Sequence, residues 1–159
     1  MRNLLFITVF LFCSFQKSES PSGRSIRVEN RVKKSERIIY FFFKAHKDSS
    51  GNEKITLHET KISDGKLKST PFFDRNEVRK GDLIITVIEA DGKEGARQLV
   101  RDPLNRELEV YEKEGISRHR ASLQSAEFNI RFSYADNIQW VKVEKATDSG
   151  VQLLFTQKL

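Results

Sequence analysis

Residues 126 to 146 read AEFNIRFSYADNIQWVKVEKA. Ala126, Phe128, Ile130 and Phe132 alternate with Glu127, Asn129, Arg131 and Ser133. A period of two places one set on a single face of a strand. Residues 133–137 carry turn chemistry, and 138–144 alternate again. The pattern predicts two strands joined as an antiparallel hairpin, with one apolar and one polar face.

The same punctuation runs through the rest of the chain. Residues 38–46 (IIYFFFKAH) are aromatic and β-branched, which predicts a central strand covered on both faces. Residues 48–52 form a turn. Residues 54–62 then alternate, with Ile55 and Leu57 on one side and Thr56, His58 and Thr60 on the other. A turn at 63–65 leads to 66–69, a candidate short strand pairing back. Residues 70–74 are a loop whose Phe72 and Phe73 are expected to cap the core. Residues 83–89 (LIITVIE) are a clear strand with Leu83, Ile85 and Val87 on one side. Asp91-Gly92 marks a tight hairpin turn, and 97–100 return. Asp102-Pro103 breaks the chain again. Residues 104–111 fit two periods: Leu104, Leu108 and Tyr111 suit a helix, Leu108 and Val110 a strand. Residues 112–120 read as a charged loop, and 151–156 as a final strand after Ser149-Gly150.

Seven or eight short strands with little helix predict an all-β domain. Two packed antiparallel sheets, an immunoglobulin-like β-sandwich, is the expected architecture. A small closed barrel is the alternative. Twelve phenylalanines and one tryptophan agree with a core made between sheets.

The N-terminus departs from this pattern. A basic start with Arg2 precedes the apolar run 4–12 (LLFITVFLF). That run is too short to cross a bilayer as a permanent helix but suits a secretory signal. Residues 1–20 are therefore expected to be a signal peptide and 21–37 a basic polar linker, with a possible edge strand. The sandwich domain then occupies 38–159, and the expected location is secreted or cell envelope. Cys13 is the sole cysteine. It allows lipidation at a mature N-terminus as a second route, although Phe12 precedes it where a small residue is preferred. No intramolecular disulfide is available, so stability rests on the core. The 28 Lys and Arg against 22 Asp and Glu leave a net charge of +6. A mixed surface accounts for that excess. A basic binder of anionic polymer through residues 24–37 is the alternative.

Catalytic signatures are missing. There is no Gly-x-Ser-x-Gly elbow, no phosphate-cradling glycine loop and no dinucleotide fingerprint in the sequence. An enzyme is disfavoured; no catalytic residue, metal ligand or cofactor is expected. His58-Glu59 lacks the second histidine of a zinc-peptidase helix, since position 62 is Ile. A metal-dependent protein using His46, His58 and a carboxylate is nevertheless an alternative. Asp48, Ser50 and Asn52 have calcium-loop spacing, but the glycine falls at 51 and no glutamate closes the loop. Lys80-Gly81-Asp82 matches an adhesion tripeptide and equally reads as a turn before a strand. Exposed aromatics are the better guide to a binding face. If Val141 and Val143 face the core, Trp140 points outward beside Lys142, which would suit sugar stacking or a protein partner. Coverage of both faces would put Trp140 in the core, and is the favoured placement. The candidate ligand-binding residues are Trp140, Lys142 and Tyr134.

One family likeness accompanies these features. Residues 83–146 combine a strand running to Asp91-Gly92, then Asp102-Pro103-Leu104 with an acidic residue at Glu107 or Glu109. A strand carrying Phe128, Arg131 and Tyr134 and a Val-rich strand follow. This segment resembles the β-sandwich domain that precedes the catalytic domain in secreted IgA-cleaving-type metallopeptidases and related envelope accessory domains. The resemblance implies a non-catalytic module and carries no active residue across. The expected function is a secreted or envelope-attached module that binds a protein or glycan partner at the cell surface. No nucleic acid is expected, and membrane contact only through an N-terminal anchor.

Overall fold

The computed structural model describes residues 36–69, 72–112 and 115–159. The expected signal segment, Cys13 and linker residues 21–35 lie outside the described residues. Nine strands follow in order: β1 Arg37–Lys47, β2 Glu53–Asp64, β3 Leu83–Glu89, β4 Glu94–Val100, β5 Asn105–Glu112, β6 Gly115–Ser122, β7 Ser125–Ser133, β8 Ile138–Thr147 and β9 Gly150–Lys158. The only helical turn among the described residues is a 3-10 turn at Arg75–Glu77, capped by the Asp74 carboxylate on the Asn76 N–H at 2.8 Å.

The strands form an antiparallel sheet β2-β1-β7, a second sheet β4-β3-β8-β9, and a separate two-stranded ribbon β5-β6. The first two sheets pack face to face as a β-sandwich. Neither closes on itself, so the barrel alternative falls. One cluster of buried side chains joins them: Ile39, Phe41, Phe43 and Ala45 from β1, Leu83, Ile85 and Val87 from β3, Ile130 and Phe132 from β7, and Val141 and Val143 from β8. Phe43 stacks on Phe128 at 5.3 Å between ring centroids. It also meets Phe155 of the opposite sheet edge-on at 5.9 Å. Such aromatic pairs add roughly 0.5–1.5 kcal/mol each beyond the area they bury.

The expected alternation holds in β7, where Ala126, Ile130 and Phe132 are buried and Phe128 packs partly against the core. The expected pairing does not. β7 pairs with β1, Phe41 opposite Ile130, whereas β8 pairs with β3 and β9, Val87 opposite Val141. The turn at 134–137 carries the chain from one sheet to the other and makes no hairpin. Both strands bury an apolar face on the same core, so periodicity alone does not distinguish a hairpin from a crossing between sheets.

Other expectations are corrected in the same way. β1 is central, but its outer face is only half-covered at Tyr40 and Phe42. The strand buried on both faces is β3, where outward Thr86 is fully inaccessible. Its register partners are Arg97 and Lys142, whose long stems cover the sheet. Residues 66–69 form no strand. Phe73 is buried as expected, while Phe72 is exposed. Residues 112–120, expected as a loop, contain most of β6.

Candidate functional site

The β5-β6 ribbon is the feature that least serves the core. Its register sets Leu108 opposite His119 and Val110 opposite Ser117, with Arg106 opposite Ala121 on the same face. The other face carries Glu107 opposite Arg120 and Glu109 opposite Arg118. These form ion pairs at 3.6 and 3.4 Å. Two opposite-charge pairs on one face of an antiparallel ribbon favour this register. They leave Leu108 and Val110 together on the other.

The ribbon is fastened at its foot. Leu104 is buried in the core. The Leu123 N–H donates to the Leu104 carbonyl at 2.7 Å. The Asp102 carboxylate accepts from the N–H groups of Leu104 and Asn105 at 2.9 and 3.1 Å. Lys47 Nζ donates to Ser122 Oγ at 3.2 Å. Beyond that foot, every described side chain from Asn105 to Tyr111 is exposed. Leu108 is 48%, Val110 40% and Tyr111 81% accessible. A two-stranded ribbon in water is marginal by itself, and its apolar side chains gain nothing from exposure. The arrangement offers an apolar strip held away from the sandwich.

The three residues expected to bind a ligand are placed differently from one another. Trp140 lies on the outer face of the second sheet, 39% accessible, with Ile88 and Lys158 as its register partners. Placement in the core is therefore overturned: Val141 and Val143 fill the inner positions, so the period of two turns Trp140 outward. Lys142 shares that face but is already engaged, 3.2 Å from both Glu94 and Glu144. Arg97 also pairs with Glu94 there. Tyr134 follows β7 and packs partly against the core. The Arg37 guanidinium lies 4.4 Å from its ring centroid. Among the described residues no hydrogen bond, ion pair or ring contact joins Tyr134 to Trp140 or Lys142.

The histidine alternative loses its geometry. His46 on β1 is opposite Lys54. His58 lies further along β2, at a bulge opposite Phe42 and Phe43. At the strand rise, four residues separate the two backbones by roughly 13 Å. No group of three metal-ligating side chains occurs among the described residues. The Lys80-Gly81-Asp82 tripeptide is structural. Asp82 is buried and accepts from the Arg79 N–H at 2.9 Å and Arg101 Nη1 at 2.7 Å. Asp48 acts in a turn, accepting from the N–H groups of Ser50 and Asn52, each at 2.8 Å.

No protein-family model, curated protein or solved structure matches the chain. The arrangement itself is the guide to function. The ribbon is the element that sequence reasoning missed. Its signal was present in the matched signs of Glu107 and Glu109 against Arg118 and Arg120, but residues 112–120 read as charge rather than as alternation.

Proposed function

We propose that the protein is a non-catalytic β-sandwich module, exported to the cell envelope or beyond, that binds a protein partner through the β5-β6 ribbon. One observation carries this reading: the ribbon exposes Leu108 and Val110 on one face and Tyr111 on the other, while among the described residues its strands pair only with each other. Aliphatic side chains in a strip favour a protein surface over a sugar, because sugars stack on flat rings. The apolar run at 4–12 supports export. No helix among the described residues is long and apolar enough to cross a membrane.

The test is cross-linking from the producing cells with a photoreactive residue at position 119, opposite Leu108 on the same face, in the otherwise native chain and in a Leu108→Asp, Val110→Asp variant. A single stoichiometric protein captured by the first and lost from the second is the expected result. Equal capture by both would refute the ribbon as the binding element.

A second reading has its own observation. The accessible Trp140 ring on an outer sheet face suits stacking on a sugar. Glycan-array binding that disappears in Trp140→Ala and persists in the ribbon variant would favour it.

A further inference from the structure

At the foot of the ribbon lies an open groove of about 1080 Å³. Six cations line it, Arg79, Lys80, Arg101, Arg106, Arg120 and Lys145, together with four carboxylates, Asp82, Asp102, Glu107 and Asp148. Each carboxylate is already committed. Asp82 holds Arg101 at 2.7 Å, Asp148 holds Lys80 at 2.5 Å, and Glu107 pairs with Arg120. Asp102 accepts from two backbone N–H groups and from the Asn105 amide. Lys145 reaches out of the groove to Glu53 at 2.5 Å. Arg79 and Arg106 are exposed and have no carboxylate partner among the described residues.

The floor of the groove is built rather than incidental. Arg101 is fixed from two sides, donating to buried Asp82 and at 2.8 Å to the Glu77 carbonyl. More than half of its side chain still faces solvent. The Gly81 N–H donates to the Ala146 carbonyl at 2.9 Å, so the backbone carrying Arg79 is tied to β8. A guanidinium held this way loses little freedom when an anion arrives, and its planar fork matches sulfate or carboxylate in two-point contact.

We infer that this groove binds a linear acidic polysaccharide, seating sulfate or carboxylate groups on Arg79, Arg101 and Arg106. The lining identifies the class. Among the described residues it contains no aromatic ring, and only Val100 and Ala146 contribute purely apolar side chains. Without a ring there is no platform for nucleic-acid bases, and without an apolar pocket there is nothing to read peptide side chains. What remains is spaced positive charge, complementary to a polymer that repeats an anion along its length. Arg106 shares its ribbon face with Leu108 and Val110, but Arg79 and Arg101 lie on loops off the ribbon, so the groove does not rest on the apolar strip.

The experiment titrates the full chain with a heparin-type decasaccharide at several salt concentrations. Three proteins are compared: the native chain, Arg79→Glu with Arg106→Glu, and a control with the same charge change on exposed β2 and the loop after it, Lys61→Glu with Lys68→Glu. The groove variant is expected to bind about tenfold or more weakly, with a shallower dependence on salt. The control is expected to stay within about twofold, its folding checked by circular dichroism. Equal weakening in the two variants, or none in the groove variant, would overturn the inference. So would tighter groove-dependent binding of a polyglutamate peptide or a single-stranded oligonucleotide of matched charge.

Discussion

Arg101 Nη1 lies 2.7 Å from Asp82 Oδ2, joining the residue before the Asp102-Pro103 break to the residue before β3. The two partners are in unequal surroundings: the Asp82 side chain is almost wholly buried, while that of Arg101 is more than half exposed. Asp82 also accepts from the N–H groups of Arg79 and Asp102. Replacing it with alanine strands these donors together. Because Arg101 regains water, the cost stays below that of a fully buried pair, and Asp82→Ala is expected to lose about 2 kcal/mol. Urea denaturation of the two proteins measures it. Asp82→Asn, which keeps an acceptor, is expected to lose less.

Gly81 is the adjoining test of rigidity. Its φ is +94°, and an added Cβ would come within 2.6 Å of Asp102 Oδ2. Gly81→Ala is expected to cost about 1–3 kcal/mol from backbone strain and to displace the Asp102 carboxylate that fastens the ribbon. Gly51, also at positive φ, has open space around the same position. Gly51→Ala is therefore expected to cost less. Thermal denaturation of both variants distinguishes strain alone from strain with a clash.

The ribbon is expected to be dispensable for the sandwich. Leu104 and Leu123 are already hydrogen-bonded across its foot. Replacing residues 105–122 by Asn-Gly closes the chain with a two-residue hairpin turn. Stability is expected to change by less than about 1 kcal/mol, while partner capture is lost. A collapse in melting temperature would show that the ribbon belongs to the core after all.

Two turn carboxylates set an acid response. The Asn52 backbone N–H, then its side-chain amide, holds Asp48 below the ordinary aspartate value of 3.8. The Lys93 ammonium, then the Lys93 N–H, does the same for Asp91. A depressed folded-state value means that the stabilisation is fully present above the unfolded value and is lost as pH falls through the folded one. Asp48→Ala and Asp91→Ala are expected to be less stable than the native chain near neutrality. That difference is expected to vanish once the pH is well below 3.8. Carboxyl chemical shifts followed by NMR report the two midpoints directly.

The sandwich was legible because burial dictates period. Phe41, Phe132, Leu83, Ile85, Val87, Val141 and Val143 recur at every second position and all face the core. Partnership was not legible. An alternating strand shows which of its faces is apolar but not which strand lies beside it, so β7 and β8 read as neighbours although they belong to different sheets. The candidate surfaces were harder still. Trp140 turned outward as the parity of Val141 and Val143 required, yet its neighbour Lys142 was taken up by Glu94 and Glu144, which are distant in sequence or on the same face. The groove cations come from separate loops, from both ribbon strands and from β8, so only the fold assembles them.

The crossing at 134–137 has a consequence for how the molecule is made. The last partner of β1 is β7, with Ile38 opposite Ser133, and the long-range partner of β3 is β8, with Leu83 opposite Lys145. One contiguous segment therefore completes the first sheet and gives the second the strand on which β9 then pairs. During synthesis the chain first carries two hairpins, β1-β2 and β3-β4, of incomplete sheets, with the apolar face of β1 uncovered. Contacts this distant in sequence make folding slow relative to local pairing. An interrupted chain that stops short of β7 would leave IIYFFF open to wrong partners. Residues 125–147 act as the latch that commits the chain to its native state, and folding is expected to be all-or-none with respect to their arrival.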